Sequence, residues 1–394
     1  MPLVHDTAHA FMPYPEVDVP RASTGPLSGL TFGVKDLFDV AGYPTSGGQP
    51  FLLAMSGIKT RHAETVERLL QAGASFVGKT VTDELAFSVN GQNAHFGSPI
   101  NGAAPDRISG GSSSGSASAV SNGLCDFALG TDTGGSVRAP ANHCGLIGLR
   151  PTHGRVSLRG ALDMAPSLDT CGWFARDIDT FDRVGEVLLG EDAQPLPSQV
   201  RLLRSPQLDD LLLSPAKPAV LAAMEQVVNR LGATHVLPAD AFDIESMYWS
   251  VRHIQGHETW GVNRALITRY APPLGPGVAE RFAWSSQVTD AQMEEGRALR
   301  AQLRQRWLAV LGQDGVLVMP TMPDIAPLCS QSEGELDDFR QRAVRLLCLA
   351  GLTGCPQISL PLASREGAPL GVSLMAAPGN DRSLIRLAQR VMKG

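Results

Sequence analysis

The sequence predicts an α/β fold in a single large domain, on three observations. Short apolar runs of strand character alternate with helical segments through the first half. Runs of the same character return in the second half. The best internal break, the Pro-rich polar stretch EDAQPLPSQ (191–199), has strands on both sides, which favours one domain with an inserted helical region over two independent ones.

In chain order, LTFGVKDL (30–37) reads as a buried strand. HAETVERLLQAG (62–73) carries Val66, Leu69 and Leu70 at helical spacing and stops at Gly73. SFVGKT (75–80) is a second strand and SGSASAVSNG (114–123) a small-residue helix closed by glycine. CDFALGTDT (125–133) and LIGLRPT (146–152) are further strands, so the sheet is expected to be parallel or mixed. Beyond the break, VRLLR is a strand and KPAVLAAMEQVVNRLGA (217–233) a helix. The segment 289–312 is a long helix, with Thr289 and Gln292 spaced as a capping box. GVLVMPT (315–321) and CPQISLPL (355–362) return to strands, and DRSLIRLAQRVM (381–392) is an amphipathic helix.

Composition narrows the function classes. With 394 residues, 43% hydrophobic and 18% charged, the chain can bury a large core and is not disordered. A net charge of −6 with scattered Lys and Arg gives no basic patch for nucleic acid or an anionic membrane. No apolar run reaches the roughly 18–20 residues of a membrane span, and the first residues lack a secretory pattern. The six cysteines have neither CxxC pairing nor metal-ligand spacing, which points to buried free thiols in a reducing cytoplasm.

The most informative stretch is ISGGSSSGSASAVSNGLCDFALGTDTGGSVRAPA (108–141). It is no flexible linker, because it runs directly into apolar CDFALG. It is a poor phosphate loop. Gly110 and Gly115 have the spacing, but Ser116 stands where the lysine is needed and Ala117 where the Ser or Thr is needed. Acyl transfer fits better. A serine hydroxyl attacks only when a base takes its proton, and the resulting oxyanion needs backbone N–H donors turned towards one point. Thr133-Gly134-Gly135-Ser136 supplies such a turn, Ser112-Ser113-Ser114 supplies further hydroxyls, and Lys35 lies in a predicted buried strand. Burial lowers a lysine's pKa and lets it act as a neutral base.

Residues 110–141 resemble the signature of the amidase-signature family at Gly110, Gly111, Ser112, Gly115, Gly130, Asp132, Gly134, Ser136, Arg138 and Pro140. Ser136 follows Ser112 by 24 residues (136 − 112), as the family's two catalytic serines do, and GVKD puts Lys35 at the position of its lysine. VMPT (318–321) and the 351–375 segment extend the likeness, whereas 200–300 is its weakest part. The resemblance implies a central mixed sheet flanked by helices. Its core would be about 25–190 and 310–394, with a divergent, more helical substrate-pocket region at about 200–310.

The resemblance also implies a Ser–Ser–Lys triad. Ser136 is the nucleophile, Ser112 the proton shuttle, held by a cis Gly111–Ser112 peptide, and Lys35 the base. Thr133, Gly134, Gly135 and Ser136 would form the oxyanion hole, and Ser113, Asp132 and Arg138 would support it. Asp132 and Arg138 could equally form a structural ion pair. No cofactor or metal is implied, since Ile254 after His253 breaks the metalloprotease pattern to which the four-residue spacing of His253 and His257 belongs.

Length and motif placement are similar to the short, indole-3-acetamide hydrolase-like branch, which implies a small primary amide such as an arylacetamide as substrate. A cytoplasmic enzyme, with a homodimer open, completes the expectation. Trp249, Trp260 and Trp284 are candidates for the acyl pocket, with ordinary core packing an equal alternative. The rival readings are the glutaminase-type subunit of an amidotransferase and a non-catalytic amidase-like binding domain. Retention of Lys35, Ser112 and Ser136 speaks against the second.

Overall fold

The computed structural model describes residues 5–332 and 334–393. Among the described residues, ten strands form one sheet: β1 (Thr31–Lys35), β2 (Ser75–Thr80), β3 (Phe127–Thr131), β4 (Ile147–Arg150), β5 (Cys171–Ala175), β6 (Arg201–Arg204), β7 (Thr234–Val236), β8 (Gly315–Pro320), β9 (Gln357–Arg365) and β10 (Ala368–Ala376). Their order is β2-β1-β3-β5-β4-β9-β10-β8-β6-β7. Pairing is parallel at both ends of the sheet and antiparallel through the centre from β3 to β8. The expected α/β class with a mixed sheet is therefore the observed one, and the sheet runs unbroken across the 191–199 break.

Strands such as β3 and β8 are buried at every position, which is why they read as continuous apolar runs rather than alternating ones. Helices cover the sheet. Phe32 of β1 stacks on Phe127 of β3, with centroids 5.4 Å apart, and fixes the pairing that matters for the site. Thr289 and Gln292 close both halves of the capping box that starts the Asp290–Leu311 helix.

Among the elements the sequence reading missed are β5, β7, β10 and the helices Pro50–Ser56, Ile178–Leu189, Val278–Ser285 and Asp337–Thr353. The Cys171–Ala175 run is only five residues long and buried on both faces, so it carries no alternation to read. Five cysteines are buried as expected, but Cys329 is exposed on a loop. Among the described residues, no helix is long and apolar enough to cross a membrane.

Candidate active site

The parallel strands β1 and β3 end side by side at Lys35 and Thr131, and the loops that follow carry the chemistry-bearing residues. Open α/β sheets place ligands at such carboxyl ends. Lys35 is fully buried, and its Nζ donates to Ser112 Oγ at 2.7 Å and to Thr131 Oγ1 at 2.8 Å. Burial pushes its pKa down to about 7, against the opposing pull of Asp83, Asp132 and Asp169. The amine is thus held beside a hydroxyl near the point where it can lose its proton at neutral pH.

Ser112 follows a cis Gly111–Ser112 peptide. Its carbonyl accepts from Asp83 N at 3.1 Å and Thr82 Oγ1 at 2.9 Å, which locks the loop against the chain after β2. Ser113 Oγ donates to Thr131 O and accepts from Thr131 N, bridging this loop to the end of β3.

The 132–138 turn is organised by Asp132. Its carboxylate accepts from the backbone N–H groups of Gly135, Val137 and Arg138, from the Arg138 Nε and Nη2 atoms, and from Arg150 Nη1. Burial alone would raise the Asp132 carboxyl, but the Arg138 and Arg150 guanidinium groups hold it well below the usual carboxylate range. Arg138 continues to Leu347 O and Gln357 Oε1 and so ties the turn to the C-terminal half. Gly135 sits at φ +127°, and a Cβ there would come within 2.4 Å of Leu347, so only glycine fits.

This geometry corrects one expectation. The Gly135 N–H already donates to Asp132 at 2.9 Å and is not an oxyanion donor. Among the described residues, the N–H groups of Thr133, Gly134 and Ser136 make no hydrogen bond within the protein. Those three are the donors left for an oxyanion.

Ser136 and Gly134 line a cavity of about 660 Å³, a volume suited to a small molecule. No hydrogen bond joins Ser136 to Ser112. Catalytic contacts of this kind often tighten only when substrate is bound. The cavity walls come from 86–89, from the Ile244–Tyr270 and Val278–Ser285 helices, and from the Asp337–Thr353 helix with the residues just before it.

Of the three candidate tryptophans, Trp284 alone lines this cavity. Trp249 is 48% exposed, beside Tyr248 and His253, and Trp260 packs against the main core, so neither is a pocket residue. Helical periodicity explains the miss. On the Ile244–Tyr270 helix, Tyr248, Val251, Arg252 and Gln255 share the face towards the cavity, and 249 and 260 lie off it. We expect Trp284→Ala to raise KM for aryl amides more than for acetamide, with Trp249→Ala changing neither. Equal effects of Trp284→Ala on large and small amides would remove it from the pocket. His257 bonds Asp290, and His253 stacks on Trp284. Among the described residues, no cluster of His, Cys, Asp and Glu could hold a metal ion.

Thr131, Arg150 and Asp169 were missed by sequence reasoning. Arg150 donates to the carbonyls of Asp132, Thr133 and Leu168, and Asp169 accepts from Thr133 Oγ1 at 2.6 Å. An arginine inside the apolar run LIGLRPT was the available signal, because a buried guanidinium demands acceptors. The charged lining residues Arg252, Glu280, Arg281, Asp337 and Arg340 were also missed.

A mixed sheet that presents a glycine-rich serine turn, backed by a buried lysine, to a small-molecule cavity has the parts of a serine acyl-transfer site, and similarity to known proteins places it among the hydrolases acting on amide C–N bonds. The Amidase family model matches residues 15–385. The chain belongs to the amidase family. It is 41% identical to "Amidase 1" of Arabidopsis thaliana over 392 residues, covering 92% of each chain. It is 34% identical to "Translocon at the outer membrane of chloroplasts 64" of Pisum sativum, across 95% of this chain and 67% of that one. A solved structure described as "Crystal structure of amidase" superposes with a TM-score of 0.84 at 31% identity, covering 94% of this chain and 85% of that chain.

Proposed function

We propose that the protein hydrolyses a small primary carboxylic amide to the acid and ammonia through an acyl-enzyme on Ser136. Neutral Lys35 takes the proton of Ser112 Oγ while Ser112 takes that of Ser136, whose oxygen attacks the amide carbon. The N–H groups of Thr133, Gly134 and Ser136 stabilise the oxyanion. The proton returns along the same path to the departing ammonia, and water, deprotonated by the same relay, then cleaves the ester. The observation that carries this reading is the contact of the buried, pKa-lowered Lys35 with Ser112 at 2.7 Å.

The substrate class follows from the walls. Phe87, Tyr248 and Trp284 line the cavity and favour an aryl group on the acyl side, as in an arylacetamide. Likeness to a protein named Amidase 1 is compatible with this choice. A purely binding role would need neither a buried amine beside Ser112 nor a serine opening on the cavity.

The pH profile tests the base. Lys35 acts when neutral, so kcat/KM falls as pH drops below its pKa and levels off above it. We expect that limb at about pH 7. A limb near 10, where an ordinary lysine titrates, would exclude Lys35 as a desolvated base.

A further inference from the structure

We infer that the acyl part of the substrate carries a carboxylate, which the Arg252 guanidinium receives in the same cavity as Ser136. The inference rests on the amide-hydrolysis reading above and specifies its substrate.

Arg252 belongs to the face of the Ile244–Tyr270 helix that lines the cavity. Gln255, on the same face, lies against the serine turn: a Cβ on Gly134 would be 3.4 Å from its Nε2. Arg252 is three residues earlier, a rise of ~4.5 Å along the helix. A ligand whose amide lies on the Gly134–Ser136 turn therefore extends naturally past Gln255 towards Arg252.

The guanidinium is held but not satisfied. It lies 4.4 Å over the Trp284 ring, a cation–π contact that fixes its position. Trp284 is itself seated against Gly256, where a Cβ would come within 2.5 Å of the indole. Yet Arg252 makes no ion pair or hydrogen bond among the described residues, and its Nε is buried without a partner.

Arg150 and Arg382 also bury an Nε without a partner, but the other arginines withdrawn from solvent are satisfied through their remaining nitrogens. Arg138 and Arg150 hold Asp132, Arg300 donates to Ser167, Gly351 and Leu352, and Arg382 pairs with Asp182. Burial lowers the Arg252 pKa, in keeping with a cation that lacks its counterion. Asp337, an acid on the cavity wall, accepts from Gln341 instead. A planar fork of unpaired donors beside a hydrophobic ring suits a carboxylate bound in its plane.

The test uses three matched amides: phenylacetamide, its para-carboxylate and its para-aminomethyl analogue. Wild-type kcat/KM should rank carboxylate over neutral over cationic, with the first step on the order of tenfold and carried by KM. Arg252→Gln should bring the carboxylate-to-neutral ratio to about one. Arg252→Lys, which keeps the charge without the fork, should retain part of it. Thermal melting of both variants guards against misfolding. Calorimetric binding of the same amides to Ser136→Ala separates the two readings. A carboxylate preference in binding, with no turnover of any amide by wild type, would leave the subsite standing and count against hydrolysis. Turnover or binding without that preference would overturn the subsite, as would parallel loss on all three amides in Arg252→Gln.

Discussion

Ser136→Ala is expected to lower amide turnover by about a thousandfold or more while leaving the melting transition in place. The substitution removes the attacking oxygen and little volume, and Ser136 Oγ makes no hydrogen bond that the fold would lose. Activity on an amide panel and a melting curve measured on one preparation decide it. Retention of most activity with unchanged melting would show that the nucleophile lies elsewhere.

Asp132→Asn should do the opposite, and damage the fold itself. Asp132 accepts from three backbone N–H groups and pairs with two fully buried arginines, Arg138 and Arg150. Removing its charge leaves those guanidinium groups uncompensated in the interior, a loss of about 3–5 kcal/mol for a broken buried pair. Denaturant unfolding measures it, and a loss below about 1 kcal/mol would mean that the arginines find other acceptors. Activity should fall with stability, because the Gly135 N–H that shapes the Ser136 turn also rests on this carboxylate.

The two halves of the site were unequally legible in the sequence. Lys35, Ser112 and Ser136 could be singled out because their chemistry depends on residue type and on local backbone, and a Gly-rich run with flanking apolar strands records both. The strand Gly315–Pro320 was readable for the same reason: its burial is written in an unbroken apolar run. The pocket was not. Arg252, Trp284 and Asp337 come from three separate helices, and only the tertiary packing of those helices makes them neighbours. An exposed Trp249 and a cavity-lining Trp284 are indistinguishable by composition. The Gly135 donor was misjudged because its bond to Asp132 depends on how the turn closes, which residue type does not reveal.

The central claim is that Ser136 carries the acyl group. A p-nitrophenyl ester of an arylacetic acid makes acylation fast, so that hydrolysis of the intermediate limits turnover. Stopped-flow absorbance should then show a burst of one p-nitrophenolate per active site. Peptide mass spectrometry after a rapid acid quench should place the acyl adduct on Ser136. Linear release without a burst, or an adduct on Ser112 with Ser136 unmodified, would contradict the account.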